Sequence, residues 1–263
     1  GYYIMLKEEI LALLLNAKEP VSGERICRTL GVTRAAVWKT IDQLRQEGYT
    51  VDAAPKRGYT LASVPDRLDT ALVRAYLSGH PWQPLVTAVP SADSTNNACK
   101  RLAAEGAPDG TAVLTGCQTA GRGRLGRTFV SPPGGLYLSI LLRPAFSTRQ
   151  SPQITALAAV AAARAAERLC GTPIQIKWVN DLWKNGKKVC GILTEAAVDL
   201  ESGMLDYAVL GLGFNLVQPS GGWPKELAAV AGSLFDSAPA PGARAALAAA
   251  FLNEFWALYH GVP

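Results

Sequence analysis

The chain has 263 residues, 49% of them hydrophobic and 18% charged, with a formal net charge of +5. That length and balance predict one sizeable domain with a smaller one, and they exclude a disordered or low-complexity chain. No apolar run reaches the roughly 18 residues of a membrane span, and Gly1 to Lys7 lacks the basic start and small-residue cleavage site of a secretory signal. The expected setting is the cytoplasm, with no membrane partner.

Cys27, Cys99, Cys117, Cys170 and Cys190 are odd in number and widely spaced. They form no Cys-x-x-Cys pair and no His-containing metal set, which reads as reduced, structural thiols. Charge is unevenly distributed. From Gly110 to Ala166 there is no Asp or Glu, yet Arg122, Arg124, Arg127, Arg143, Arg149 and Arg164 fall there. This asymmetry predicts a local positive field for an anionic ligand.

In chain order, Leu6, Ile10, Leu13 and Leu14 make one apolar helix face from about Met5 to Ala17. Pro20 breaks it, Ser22 caps a short second helix and Gly31 ends that helix. Thr33 caps a third, whose Val37, Ile41 and Leu44 face inward and which stops at Gly48. Helix, Gly-Val-Thr turn, helix is a helix-turn-helix signature. The β-prone triplets 49–51 and 59–61 bracket Pro55-Lys56-Arg57-Gly58, a two-stranded wing with a basic tip. Such a module presents the start of its third helix to the major groove, so Arg34, Trp38 and Lys39 are the candidate base contacts, with Lys56 and Arg57 near phosphate. Nine basic against eight acidic residues over 1–66 leave a protein-contact module as the alternative. The polar, proline-containing stretch 63–66 marks a boundary, giving domains 1–64 and 65–263.

Leu68, Leu72 and Tyr76 open the second domain as a helix, and Val86 to Val89 reads as a strand. Ser94-Thr95-Asn96-Asn97 then suits the start of a helix running to Glu105. Strands are predicted at 111–117, 135–142, 174–178, 189–194 and 204–212, and an alanine-rich helix over 155–170 closed by Gly171. Asn185-Gly186 signals a type I′ hairpin. Short turns between most strands favour an α+β fold, a mixed or antiparallel sheet covered by helices, over a doubly wound one.

Between the second and third of these strands lies Gly121-Arg122-Gly123-Arg124-Leu125-Gly126-Arg127. Glycines admit close backbone approach and arginines grip carboxylate or phosphate in pairs of hydrogen bonds, so the loop points to a small anion. An RGG-like nucleic-acid segment is the alternative, although such segments usually repeat. No Walker loop and no Gly-x-Gly-x-x-Gly helix entry is present. Lys177 and Lys188 flank Asn180, Asp181 and the Asn-Gly turn. Singly they read as surface charges; together with the arginine loop they can neutralise a carboxylate facing an α-phosphate, the electrostatic problem of adenylation. Asp181 is open to a metal, an incoming amine or a plain salt bridge. Gly211 and Gly213 again permit close ligand approach.

Over almost its whole length the chain resembles the bifunctional biotin protein ligase and biotin operon repressor family. The markers are the winged helix with residues 33–39, Asp93 to Asn96, Gln118-Thr119-Ala120 leading into the arginine loop, Ser131-Pro132, Lys177 to Asp181, Lys188 to Glu195 and Gly211 to Asn215. The resemblance implies a class II synthetase-like catalytic domain of the biotin/lipoate ligase type. It implies formation of biotinyl-5′-AMP from biotin and Mg-ATP, then transfer of biotin to a lysine of a biotin carboxyl carrier domain of acetyl-CoA carboxylase or a similar protein. It also implies operator DNA as a partner and a homodimer promoted by ligand. By the same resemblance Ser94, Thr95, Asn96, Gln118, Gly121 and Arg122 hold biotin, and Gly191 and Gly213 give it clearance. Arg124 and Lys188 meet carboxylate and phosphate, with Lys177 and Asp181 as further catalytic candidates and Asp181 the one candidate metal ligand. Arg127, Phe129, Asn180, Asn215 and Trp223 join them on the ATP side. Phe129 stands where the family usually has tryptophan and Val179 where it has proline; both stay apolar. The family's SH3-like C-terminal module is expected to be absent, since the sequence stops at Pro263. The competing readings are a lipoate ligase, which leaves the winged helix unexplained, and a biotin-sensing transcription factor without turnover.

Overall fold

The computed structural model describes residues 5–144, 151–178 and 180–261. Gly1 to Ile4, Arg149, Val179 and Pro263 lie outside the described residues.

Helices α1 (Leu6–Asn16), α2 (Gly23–Leu30) and α3 (Arg34–Gln46) precede a hairpin of β1 (Thr50–Ala54) and β2 (Gly58–Ser63). Local chemistry sets each helix start. Ser22 Oγ accepts from Arg25 N at 3.0 Å and Thr33 Oγ1 from Ala36 N at 3.1 Å, which satisfies amides that a first helical turn leaves unpaired. Gly31 ends α2 at φ 66°, a left-handed conformation that disfavours a side chain. Ile10, Leu11, Ile26, Ile41 and Leu44 are fully buried among the three helices. Val21 and Tyr59 exchange backbone hydrogen bonds of 2.9 and 2.8 Å, adding a short third strand to the wing. Gly58 permits that approach: its φ is 116°, and a methyl group there would overlap the Val21 backbone.

After α4 (Thr70–Tyr76) comes a seven-stranded sheet. Its spatial order is β3 (Val86–Val89), β4 (Ala112–Thr115), β5 (Leu136–Leu142), β9 (Leu205–Phe214), β8 (Lys187–Val198), β7 (Asp181–Lys184) and β6 (Gln175–Lys177). β3 and β4 are parallel and every other neighbouring pair is antiparallel, the mixed sheet expected from the short connections. The helices are α5 (Thr95–Ala104), α6 (Ser151–Cys170) and α7 (Ala243–His260). The structure corrects several bounds. α6 begins at Ser151 rather than Thr155, β8 extends to Val198, and residues 181–184 form a strand instead of only flanking the turn. α7 was not anticipated at all.

Strand alternation gives the sheet two different faces. Leu138, Ile140, Leu210 and Leu212 turn toward a layer of α4, α6 and α7, all within one hydrophobic cluster. Val113, Leu141 and Val209 turn the other way, against Cys99 and Ala103 of α5. Cross-strand rows on that second face run Leu141–Val209–Glu195, then Ser139–Gly211–Leu193, then Tyr137–Gly213–Gly191–Asp181. The glycines of the last two rows let Asn96 pack against Gly211 and the Phe129 ring against Gly191 and Gly213, and a hollow opens beside these contacts at the start of α5.

The helix-turn-helix unit is joined firmly to the sheet. α1 packs on α4 with Ile10, Leu11 and Leu72 in one continuous apolar cluster, and Arg74 Nη1 lies 3.3 Å from Glu8 Oε1. Tyr49 donates its hydroxyl to Asp69, the N-cap of α4. Among the described residues no helix is long and apolar enough to cross a membrane.

Candidate active site and DNA face

The N-terminus of α5 forms one wall of the hollow. Ser94 caps the helix by accepting from Asn97 N at 3.3 Å, and Ser94, Thr95 and Asn96 are all buried. Gln118 is oriented by its neighbours. Its Nε2 donates to Ser131 Oγ at 2.8 Å, which leaves Oε1 to accept from Thr95 N at 2.8 Å and from the Thr95 hydroxyl at 3.2 Å. Below them Ser139, fully buried in mid-strand, sets its hydroxyl 2.7 Å from Thr95 Oγ1 and 2.5 Å from Asn96 Oδ1. One hydroxyl proton serves one of these acceptors at a time. Asn96 Nδ2 in turn donates to Glu195 Oε1 at 3.0 Å.

The arginine loop folds back on itself. Gly123 N donates to Arg127 O at 2.7 Å and Phe129 N to Gly121 O at 2.9 Å, with Leu125 at φ 55° and Gly126 at φ 74° at the tip. A methyl group at Gly121 would overlap Phe129 O, so the loop closes only on glycine there. Arg122 and Arg124 reach the hollow. Arg127 is exposed and lines neither cavity described here.

The hollow lies between Ser94, Thr95, Asn96, Gln118, Arg122, Arg124, Asn180, Lys188, Gly191 and Gly213. A second one is lined by Val130, Asn215, Trp223, Leu227, Val230 and Ala231. Lys188 and Phe129 line both. The ring of Phe129 takes up the clearance that the resemblance assigned to a ligand: it lies over Gly213 and would stand 2.8 Å from a methyl group on Gly191. Lys188 Nζ lies 3.0 Å from Asp181 Oδ1 and 5.8 Å above the Phe129 ring. Asp181 is therefore in a salt bridge. Lys177 is drawn elsewhere, with its Nζ 3.8 Å over the Trp183 ring on the sheet edge. Among the described residues no group of three or more His, Cys, Asp or Glu could hold a metal ion.

Sequence reasoning missed Ser139 and gave Glu195 no role. A lone serine inside the apolar run Leu136–Leu142 was the available signal for the first. The cysteines are all free, and burial pushes the Cys99 thiol up to about 12, as expected of structural thiols.

On the opposite module, Arg34, Trp38 and Lys56 line one groove between the start of α3 and the wing. Trp38 is 62% exposed. Lys39 and Arg57 are exposed beside that groove without lining it.

Residues 88–215 match the biotin/lipoate A/B protein ligase family, and residues 7–60 match an HTH domain. The chain is similar to the bifunctional ligase/repressor BirA of Bacillus subtilis, 38% identical over 235 residues, 89% of this chain and 72% of the relative. It is 33% identical over 209 residues to the protein of that name from Escherichia coli, 79% of this chain and 63% of the other. Among solved structures, the biotin protein ligase from Aquifex aeolicus in complex with biotin and ATP aligns with a TM-score of 0.55. It is 29% identical, with 66% of this chain and 70% of that one covered.

Proposed function

The chain belongs to the bifunctional biotin ligase/repressor family, and on that premise we propose that its two adjoining hollows hold biotin and ATP side by side. The observation that carries this reading is that Lys188 and Phe129 line both. A lysine shared by two cavities can meet a carboxylate from one and a phosphate from the other.

In this reading the ureido ring of biotin enters the corner of Ser94, Thr95, Asn96 and Gln118, under the backbone of Gly121 and Arg122. Its carboxylate reaches Arg124 and Lys188. Adenine takes the second hollow against Trp223 and Phe129, with Asn215 supplying its polar edge and Arg127 and Asn180 nearer the phosphates. Two anions repel strongly where water is excluded, so fixed cations between them lower the barrier to their approach. A biotin carboxylate oxygen bonds to the α-phosphorus as the bond to pyrophosphate breaks, giving biotinyl-5′-AMP. The neutral amine of a carrier lysine then attacks the acyl carbon, AMP leaves and the amine's proton passes to solvent. Asp181 steers Lys188 through its salt bridge and faces the incoming amine.

Asp181 is already paired with Lys188, and among the described residues no group of three or more His, Cys, Asp or Glu is placed to form a magnesium cage. Mg2+ enters as part of the Mg-ATP substrate, and no step here passes through a metal held by the protein. The carrier is a biotin carboxyl carrier domain such as that of acetyl-CoA carboxylase. Five free cysteines suit the reducing cytoplasm as the setting.

The winged helix binds DNA, with Arg34, Trp38 and Lys39 toward bases and Lys56 and Arg57 toward phosphate. Biotinyl-5′-AMP promotes a homodimer that spans two operator half-sites and represses. Pyrophosphate release that depends on biotin and ignores lipoate tests the enzymatic reading.

A further inference from the structure

Glu195 occupies a position that the chemistry above does not use. It stands on β8 at the end of the row Leu141–Val209–Glu195, with its side chain 19% exposed. Three donors from two different walls of the site converge on it. Asn96 Nδ2 donates to Oε1 at 3.0 Å, while Lys100 Nζ at 2.7 Å and Arg122 Nη2 at 3.2 Å share Oε2. Asn96 and Lys100 belong to α5, whereas Arg122 belongs to the arginine loop.

We propose that Glu195 is a positioning residue that latches the arginine loop, through Arg122, to the α5 corner at Asn96. This inference rests on the ligase reading, because its purpose is to hold the loop ready to close over the biotin site. Two cations sharing one oxygen would repel each other without the carboxylate between them. Burial acts to raise the Glu195 carboxyl, but the hydrogen bonds from Lys100 and Asn96 outweigh it and hold the group below the usual range, so it stays anionic at neutral pH. The loop backbone is closed by its own hydrogen bonds, Gly123 to Arg127 and Phe129 to Gly121, while its entry is held by Ala120 N donating to Asp93 O at 2.7 Å, and its tip residue Leu125 is 91% exposed. The Arg122 side chain thus adds an ionic tie from this loop to the sheet, beside the packing of Phe129 at the base of the loop on Gly191 and Gly213. Asn96 links the same carboxylate to Ser139 and Thr95, so corner and loop are braced by one group.

Trypsin supplies a readout that needs no activity, since the loop offers Arg122, Arg124 and Arg127 as cleavage sites. In the full chain without ligand, Glu195→Gln is expected to quicken nicking at Arg124 and Arg127 about three- to tenfold, the range for losing a half-exposed ionic hydrogen bond. Arg122→Met is expected to do the same, and it keeps the test valid if the Glu195 variant folds poorly. Lys100→Met, which spares the Glu195–Arg122 pair, is expected to nick at the wild-type rate. In turnover Glu195→Gln should raise the KM for biotin and hasten loss of biotinyl-5′-AMP while kcat at saturating biotin changes little. Wild-type nicking in both Glu195→Gln and Arg122→Met, or equally fast nicking in Lys100→Met, overturns the latch. Wild-type pyrophosphate release, measured alongside, separates that failure from failure of the ligase reading.

Discussion

Phe129 and Gly213 are in such close contact that a methyl group on Gly213 would overlap the Cε1 atom of the ring. The ring forms part of both hollows, so this contact sets the shape of each. Gly213→Ala should push the ring aside and cost about 1–3 kcal/mol, as overpacking typically does. The KM for ATP is expected to rise along with it. Phe129→Ala in the same chain should recover much of the lost stability, a coupling that urea unfolding of the two single variants and the double variant would measure. Strictly additive losses would mean that the two positions do not constrain each other.

Lys188 is a cation common to both hollows, and Arg124 of the loop lines the first one with it. Lys188→Ala and Arg124→Ala are each expected to slow adenylate formation by roughly a hundred- to a thousandfold, the typical effect of losing one donor to developing charge. Asp181→Asn should cost less, since it removes only the group that steers Lys188. Rates of biotin-dependent pyrophosphate exchange would rank the three. An Asp181 variant slower than the Lys188 variant would reverse the assigned roles.

Glu8 on α1 is almost wholly buried and pairs with Arg74 on α4, across the junction of the two modules. Burial raises its carboxyl above the ordinary 4.5, and the Arg74 charge offsets this only in part. A carboxyl whose folded pKa is raised stabilises the fold at low pH and loses that contribution as pH rises through the folded value. Glu8→Gln should therefore gain thermal stability relative to wild type as pH rises above about 4.5. Arg74→Ala should do the reverse, costing roughly 3–5 kcal/mol by leaving a buried carboxylate unpaired. Melting curves taken across that range would show a constant difference if the junction carboxyl were not involved.

Features that depend on a few neighbouring residues were legible in the sequence. The caps at Ser22, Thr33 and Ser94 and the Asn185-Gly186 turn, with φ values of 48° and 76°, stand where local chemistry puts them. α7 was missed because its Ala-rich start carries no side-chain cap and is entered through Gly242 at φ 89°. The family resemblance named most residues lining the first hollow. It could not reveal that the Phe129 ring lies over Gly191 and Gly213, because that contact joins a loop to two strands distant in sequence. Ser139 and Glu195 escaped for the same reason: each acquires partners only when the start of α5 crosses the sheet.

Arg34, Trp38 and Lys56 share one groove on the winged helix, and a single such module makes few phosphate contacts. Operator affinity should rise by roughly 5–150-fold when biotin and ATP are added, the usual range for a ligand coupled to assembly. Lys56→Ala should lower the salt dependence by about one phosphate contact without changing sequence preference, whereas Arg34→Ala should relax that preference. Titrations at fixed salt, with sedimentation in parallel, give both quantities. A monomer of unchanged DNA affinity in both states would rule out ligand-promoted pairing.

The most direct test is to incubate the chain with Mg-ATP, either biotin or lipoate, and a mixture of a biotin carboxyl carrier domain and bystander proteins. Pyrophosphate release and mass spectrometry are then followed together. On the proposed placement the loop and corner enclose the acyl group, so a shielded adenylate should react only with a partner shaped to reach it. Biotin-dependent pyrophosphate release and one biotinyl group on a single carrier lysine, with bystanders unlabelled and lipoate inert, is the predicted result. Folded protein that releases no pyrophosphate with biotin, or that serves lipoate equally well, would contradict the account.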